Sequence, residues 1–244
     1  MTDAIRDAAR RLSVTCDGVA IPTVYWAPRD CKGIVVACHG GSGHKLSAAI
    51  LAIAGACLPR GLAVVAIDGP VQGERRSDGN LDPQVNVRSF REAWNAGVGR
   101  TSMAREMAAA LDALLRLPGF DGLPIGYVGV SMGTGYGIPL LATDKRFSAA
   151  AIGLWGMNFP ASEHLLDCAK EIGCPVWFTQ QWHDQTFDRE GTFALFDAIG
   201  SADKRLVAYP GPHRELEGER LADAIAFLAG RLSGPTPPSV QDPR

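Results

Sequence analysis

The chain of 244 residues carries a formal net charge of −2 and is 46% hydrophobic, which is the profile of a soluble globular protein. It is long enough to bury a substantial core without disulfide staples, and its charge gives no reason to expect a nucleic acid or an anionic membrane as partner. No apolar run reaches the roughly 18 residues of a membrane span, and the stretch Met1–Arg11 lacks the apolar centre of a secretory leader.

The opening stretch reads as a short polar helix. Ser13–Val19 and Thr23–Trp26 then read as an antiparallel hairpin around Asp17-Gly18. Gly33–Cys38 is a continuous apolar run, as expected of a strand buried on both faces. Helix Leu46–Leu58 follows, then a second buried strand, Leu62–Ile67. Residues 69–100 break the rhythm as a long polar excursion rich in glycine and arginine, beyond a strand end, where binding loops of parallel sheets sit. Helical periodicity resumes over 101–117 through Met103, Met107, Leu111 and Leu114. After it come strand 125–130, a sharp turn and helix, strand Ala149–Trp155, helix Ser162–Ile172, strand Val176–Thr179, helix Thr192–Ile199, strand Lys204–Tyr209 and helix Glu217–Leu232. Strands alternating with helices predict an α/β domain with a mostly parallel central sheet covered on both faces. It is expected to occupy residues 1–232, followed by a flexible proline-rich tail over 233–244. The short crossover between Trp155 and Val176 leaves no space for a large cap domain.

The six cysteines (16, 31, 38, 57, 168 and 174) show neither a Cys-x-x-Cys pair nor metal-finger spacing. Cys38 and Cys57 read as buried small hydrophobes, and a reducing cytoplasm is the expected location.

The chemistry gathers around Gly129-Val130-Ser131-Met132-Gly133, which follows a predicted strand and precedes a predicted helix. A serine at the tip of so sharp a strand-to-helix turn needs small neighbours, and the turn lifts its hydroxyl over the sheet edge. That hydroxyl needs a base. Among five histidines, His213 in Tyr-Pro-Gly-Pro-His-Arg-Glu follows the last strand and is the first choice; His183 is its rival, and His39 and His164 read as structural. An imidazole acting as base and then acid needs a carboxylate to fix its tautomer. Asp184 follows the strand Val176–Thr179, with Asp188 as runner-up and a helix cap as the alternative role. The order Ser, Asp, His, each after a successive strand, is that of one known triad layout. The negative charge that develops in acyl transfer needs backbone N–H donors: Met132 is one, and Gly41 in His39-Gly40-Gly41-Ser42-Gly43 the other, with Gly40 and Ser42 as alternatives.

These residues carry a resemblance to the α/β-hydrolases, closest to dienelactone-hydrolase-like esterases and small acyl-peptidase-like hydrolases. It spans roughly residues 20–230, and the segment Asp68-Gly-Pro-Val-Gln-Gly-Glu-Arg-Arg resembles the Asp-x-x-x-x-Gly-x-S/R loop of that group. The resemblance implies the α/β-hydrolase fold and cleavage of an ester, thioester or lactone of a small molecule, with no cofactor and no metal. One departure matters. Dienelactone hydrolases use a cysteine nucleophile where this chain has Ser131, so their lactone substrate does not carry over.

Substrate contacts are expected from Arg75 and Arg76 of the excursion, since an arginine can grip a carboxylate through paired hydrogen bonds, and from Trp94 and Trp155 as pocket walls. Acyl transfer, carbon–carbon bond hydrolysis and a non-catalytic ligand receptor remain as alternatives on the same scaffold. The partner is expected to be a small-molecule ester, with no nucleic acid and no membrane; a homo-oligomer stays open.

Overall fold

The computed structural model describes residues 2–232; the predicted proline-rich tail lies outside the described residues. In chain order the elements are α1 (Thr2–Asp7), β1 (Arg10–Leu12), β2 (Thr15–Cys16), β3 (Val19–Ala20), β4 (Thr23–Trp26), β5 (Gly33–Cys38), α2 (Ala48–Cys57), β6 (Leu62–Ile67), α3 (Pro83–Asn95), α4 (Ser102–Leu115), β7 (Ile125–Gly129), α5 (Met132–Thr143), β8 (Phe147–Gly153), α6 (His164–Lys170), β9 (Val176–Gln181), α7 (Arg189–Ala198), β10 (Lys204–Tyr209) and α8 (Gly218–Leu232). Eight strands form one sheet in the order β1-β4-β6-β5-β7-β8-β9-β10. The six strands from β6 to β10 in that order run parallel, and β4 and β1 close one edge antiparallel.

Alternation along the central strands sets the layers. Ile34, Val36 and Cys38 of β5, with Ala63, Val65 and Ile67 of β6, face the core formed with α3 to α7. Val35, Ala37, Leu62, Val64 and Ala66 face the opposite core with α2 and α8. Both faces are dry, so these strands read as unbroken apolar runs. Helix α5 is apolar all round and buried along its length from Met132 to Ala142, as befits a helix at the centre of one layer.

Two expectations need correction. The hairpin partner of Thr23–Trp26 is Arg10–Leu12, not the segment 13–19. Asp17 and Gly18 both adopt positive φ, which closes a tight two-residue turn and confines that hairpin to β2 and β3. The excursion is also not loop throughout, because α3 runs through it. Asp82 accepts the N–H groups of Gln84 and Val85, and Pro83 occupies the first turn, a start signal that was present in the sequence. No helix among the described residues is long and apolar enough to cross a membrane.

Candidate active site

Ser131 sits between the end of β7 and the start of α5 with φ 56 and ψ −123, a left-handed conformation that costs a non-glycine residue of order 1–3 kcal/mol. The surroundings hold it there. Its N–H donates to the Gly153 carbonyl at 2.9 Å, Thr134 Oγ1 donates to the Gly129 carbonyl at 3.0 Å, and Tyr127 donates its hydroxyl to the Gly133 carbonyl. A Cβ on residue 133 would fall 2.8 Å from the Cys38 carbonyl oxygen, so only glycine lets α5 start this close to β5.

Loops after β9 and β10 bring two further groups to the serine. His213 Nε2 lies 3.1 Å from Ser131 Oγ, and His213 Nδ1 lies 2.7 Å from Asp184 Oδ2. The other Asp184 oxygen accepts the N–H groups of Thr186 at 2.7 Å and Phe187 at 3.0 Å. The Asp184 side chain is 4% exposed. Burial alone would raise its pKa, but the His213 contact and the two backbone donors outweigh burial and hold it below the ordinary value. Asp188 instead accepts the Gly191 N–H and caps α7. His183 is exposed, and its Nδ1 accepts the Gly211 N–H.

The glycine loop after β5 flanks the serine. Burial pushes the His39 pKa down to about 4, so its ring is neutral near pH 7. Its Nε2 accepts the Gly69 N–H at 2.9 Å, which leaves Nδ1 as the protonated nitrogen, donating to the Gly40 carbonyl at 2.7 Å. Gly43 N–H donates to that same carbonyl. A trans peptide points its N–H opposite to its C=O, so pinning the Gly40 carbonyl aims the Gly41 N–H the other way. The Ser42 carbonyl is held by Asn86 Nδ2. Met132 opens α5, and the first N–H groups of a helix have no intrahelical partner.

An ionic cluster, buried at Lys45 and Asp68 and exposed at Glu74 and Arg11, anchors this loop to the excursion. Lys45, 2% exposed, pairs with Asp68 at 2.6 Å and Glu74 at 2.9 Å, and Glu74 is gripped by both Arg11 nitrogens. The Arg11 contact first, and Lys45 second, pull the Glu74 pKa down to about 2. Cys38, beneath the turn, is buried and its thiol pushed up to about 12, which leaves it inert as a nucleophile. None of the six cysteines is paired.

Ser131 and His213 line a cavity of about 350 Å³ walled by Val87, Phe90, Phe159 and Phe187, with Arg91 and Arg214 at its edge. The Phe187 ring packs 5.3 Å from the His213 ring. The four expected substrate contacts lie elsewhere. Arg75 pairs with Glu106 and Arg76 with Asp78, and both line a separate depression. Trp94 and Trp155 are 0% exposed; their indole N–H groups donate to the Pro160 carbonyl and Ser162 Oγ, and they pack behind Phe90 and Phe159. Trp182 is exposed, with the Arg189 guanidinium 3.9 Å over its ring. Of the arginines of the excursion, Arg91 lines the cavity. Phe187, Arg214 and Glu215 carried no signal of their own in the sequence beyond adjacency to Asp184 and His213. Among the described residues no cluster of three or more His, Cys, Asp or Glu side chains is placed to hold a metal ion.

No protein-family model matches the sequence, and no curated protein does. Solved structures do. A cold-adapted esterase from an Arctic intertidal metagenomic library is 34% identical, with a TM-score of 0.80 over 92% of this chain and 93% of its own. A dienelactone hydrolase from Anabaena variabilis shares 19% identity and the fold, with a TM-score of 0.67 over 92% of this chain and 97% of its own. Est1E from Butyrivibrio proteoclasticus shares the fold at 13% identity, with a TM-score of 0.66 over 93% of this chain and 100% of its own.

Proposed function

This chain belongs to the α/β-hydrolase family, among its dienelactone-hydrolase-like esterases, and on that premise we propose that it is a carboxylesterase-like serine hydrolase acting on a small-molecule ester, thioester or lactone. The observation that carries the reading is the unbroken contact from Asp184 through His213 to Ser131 at the foot of an apolar cavity.

The chemistry follows from the atoms. His213 Nε2 takes the Ser131 proton as Oγ attacks the acyl carbon, and Asp184 stabilises the resulting imidazolium through Nδ1–H. The carbonyl π pair moves onto oxygen, where the N–H groups of Gly41 and Met132 meet it. Collapse expels the leaving alkoxide or thiolate, which takes the proton from His213. Water then repeats the sequence on the acyl-enzyme, releasing the acid and restoring Ser131. The three phenyl walls favour a compact apolar acyl or aryl group, while Arg91 and Arg214 place positive charge where a substrate leaves the pocket.

A steady-state screen of short p-nitrophenyl esters, thioesters and lactones with the native chain and Ser131→Ala tests the reading. Turnover that disappears in the variant, together with fluorophosphonate labelling confined to Ser131, supports it. Undiminished turnover in Ser131→Ala, or no turnover on any class, overturns it.

A further inference from the structure

Glu215 stands two residues beyond His213 and is not part of the proposed relay. Its carboxyl group lies directly against the glycine loop on the other side of the cavity. A Cβ on residue 40 would overlap Glu215 Oε1, and Ser42 Oγ donates to that same oxygen at 3.4 Å. The carboxyl therefore contacts the residues on both sides of Gly41. It also borders the substrate cavity and a void of about 10 Å³ beneath the loop, which Cys38, His39, Gly129 and Val130 help to line. No cationic side chain pairs with it among the described residues; its neighbour Arg214 pairs with Glu217 instead.

On the serine-esterase reading above, we propose that Glu215 is a positioning residue that braces the Gly40–Ser42 segment against the His213 loop and so sets the Gly41 N–H at the developing oxyanion. The contact ties the base and one oxyanion donor to a single stretch of chain, which matters because small misplacement of a donor is expensive in rate. His39 and Gly43 fix the Gly40 carbonyl from one side, and Glu215 closes the other. Gly40 is required for the fit, since any side chain there would displace the carboxyl. Burial raises the pKa of the Glu215 carboxyl, with His213 and the Ser42 hydroxyl acting against it. A carboxyl with a reduced tendency to ionise also puts less negative charge beside an oxyanion, so contact rather than charge is the useful property.

Two substitutions separate those properties. Glu215→Gln keeps the length and an oxygen that accepts from Ser42, and should retain kcat within about threefold. Glu215→Asp keeps the acid but withdraws it from Gly40, and should lose about 10- to 100-fold in kcat with KM nearly unchanged, less than the loss of a whole donor. A benzyl trifluoromethyl ketone, which forms an oxyanion hemiketal on Ser131, should bind Glu215→Asp more weakly by a similar factor. The non-fluorinated ketone, which binds without forming that adduct, should not. A merely structural role would weaken both ligands or lower the melting temperature in parallel. The proposal is overturned if Glu215→Asp keeps kcat while Glu215→Gln loses it, if the loss falls in KM alone, or if both ketones weaken equally. Should Glu215→Asp not fold, a loss above tenfold in folded Glu215→Gln overturns it, and retained kcat there with a loss in Ser42→Ala supports it. Undiminished turnover in Ser131→Ala would instead remove the esterase reading on which the proposal rests, so the two failures are told apart.

Discussion

Helix α3 separates two depressions that both carry arginines, and the two sides treat charge in opposite ways. On one side Ser89 and Glu92 border a shallow depression in which Arg75 is paired with Glu106 and Arg76 with Asp78, with Arg76 also donating to Ser89 Oγ. On the other, Val87, Phe90 and Arg91 border the cavity of Ser131 and His213, and no carboxylate pairs with Arg91 among the described residues. The first side spends its polar groups on one another and holds the excursion in place. The second keeps a serine in strained backbone, an imidazole within reach of it and a guanidinium unpaired. Site chemistry is therefore better recognised by groups held ready and unsatisfied than by an abundance of charge.

The largest effects should fall on the relay side. His213→Ala should lower kcat by about 10⁴- to 10⁶-fold, and adding Ser131→Ala should cost little more, because residues that act as a unit are not additive. Asp184→Asn should lose roughly 10⁴-fold by presenting the wrong tautomer of His213. Asp188→Ala should leave kcat in place and lose about 1 kcal/mol of stability as a helix cap. Steady-state rates and denaturant melts of the four variants check this, and a larger rate loss in Asp188→Ala would move the acid to that position.

A smaller effect tests the two arginine sets directly. Arg91→Ala should raise KM about tenfold for esters bearing a carboxylate and leave neutral esters unaffected, since a charge-assisted pair contributes about 1.5–3 kcal/mol when desolvated and less at a pocket mouth. Arg76→Ala should move neither constant, because its guanidinium is already taken by Asp78 and Ser89. Equal responses from the two variants would break the contrast across α3.

What was legible in the sequence is what short-range chemistry dictates. Each of Ser131, Asp184 and His213 follows an apolar strand, and the small residues around Ser131 are demanded by a turn that forms locally. The inner strands β5 and β6 were readable to the residue because burial on both faces leaves a distinct pattern, and the edge strand β10 because its run is bounded. The pairing of β4 with Arg10–Leu12 was not, since two short strands compete for one partner and the turn at Asp17-Gly18 decides between them. Helix α3 is masked in the sequence, although Asp82-Pro83 announces it, because arginine and glycine dominate the flanking composition. The contacts of Glu215 with Gly40, and of Lys45 with Asp68 and Glu74, join residues far apart in the chain, and no local periodicity records them. Arg75 and Arg76 were plausible from position alone; only their partners Glu106 and Asp78 show that they are occupied.

The smallest effect concerns acid, and it also divides the two sides. His39, behind the glycine loop, is kept neutral by burial with its pKa pushed down to about 4 from 6.5. The unfolded chain therefore binds more protons than the native one between those values, and stability falls as pH drops from about 6.5 towards 4. Glu74, on the excursion side, is held ionised by Arg11 and Lys45 with its pKa at about 2 against 4.5; its contribution is present above about 4.5 and lost towards 2, and its partial exposure keeps that contribution small. Melting temperature followed from pH 7 to pH 3 should thus fall by a few degrees in two stages, the first from the cavity side. His39→Gln should be less stable at pH 7 and shrink the first stage, to which His44 and His164, also lowered by burial, contribute, while Glu74→Gln should keep it and flatten the second. A first stage undiminished in His39→Gln would assign it to His44 and His164, and the loop would then owe its position to its anchors at Lys45 and Glu215 more than to the neutral imidazole of His39.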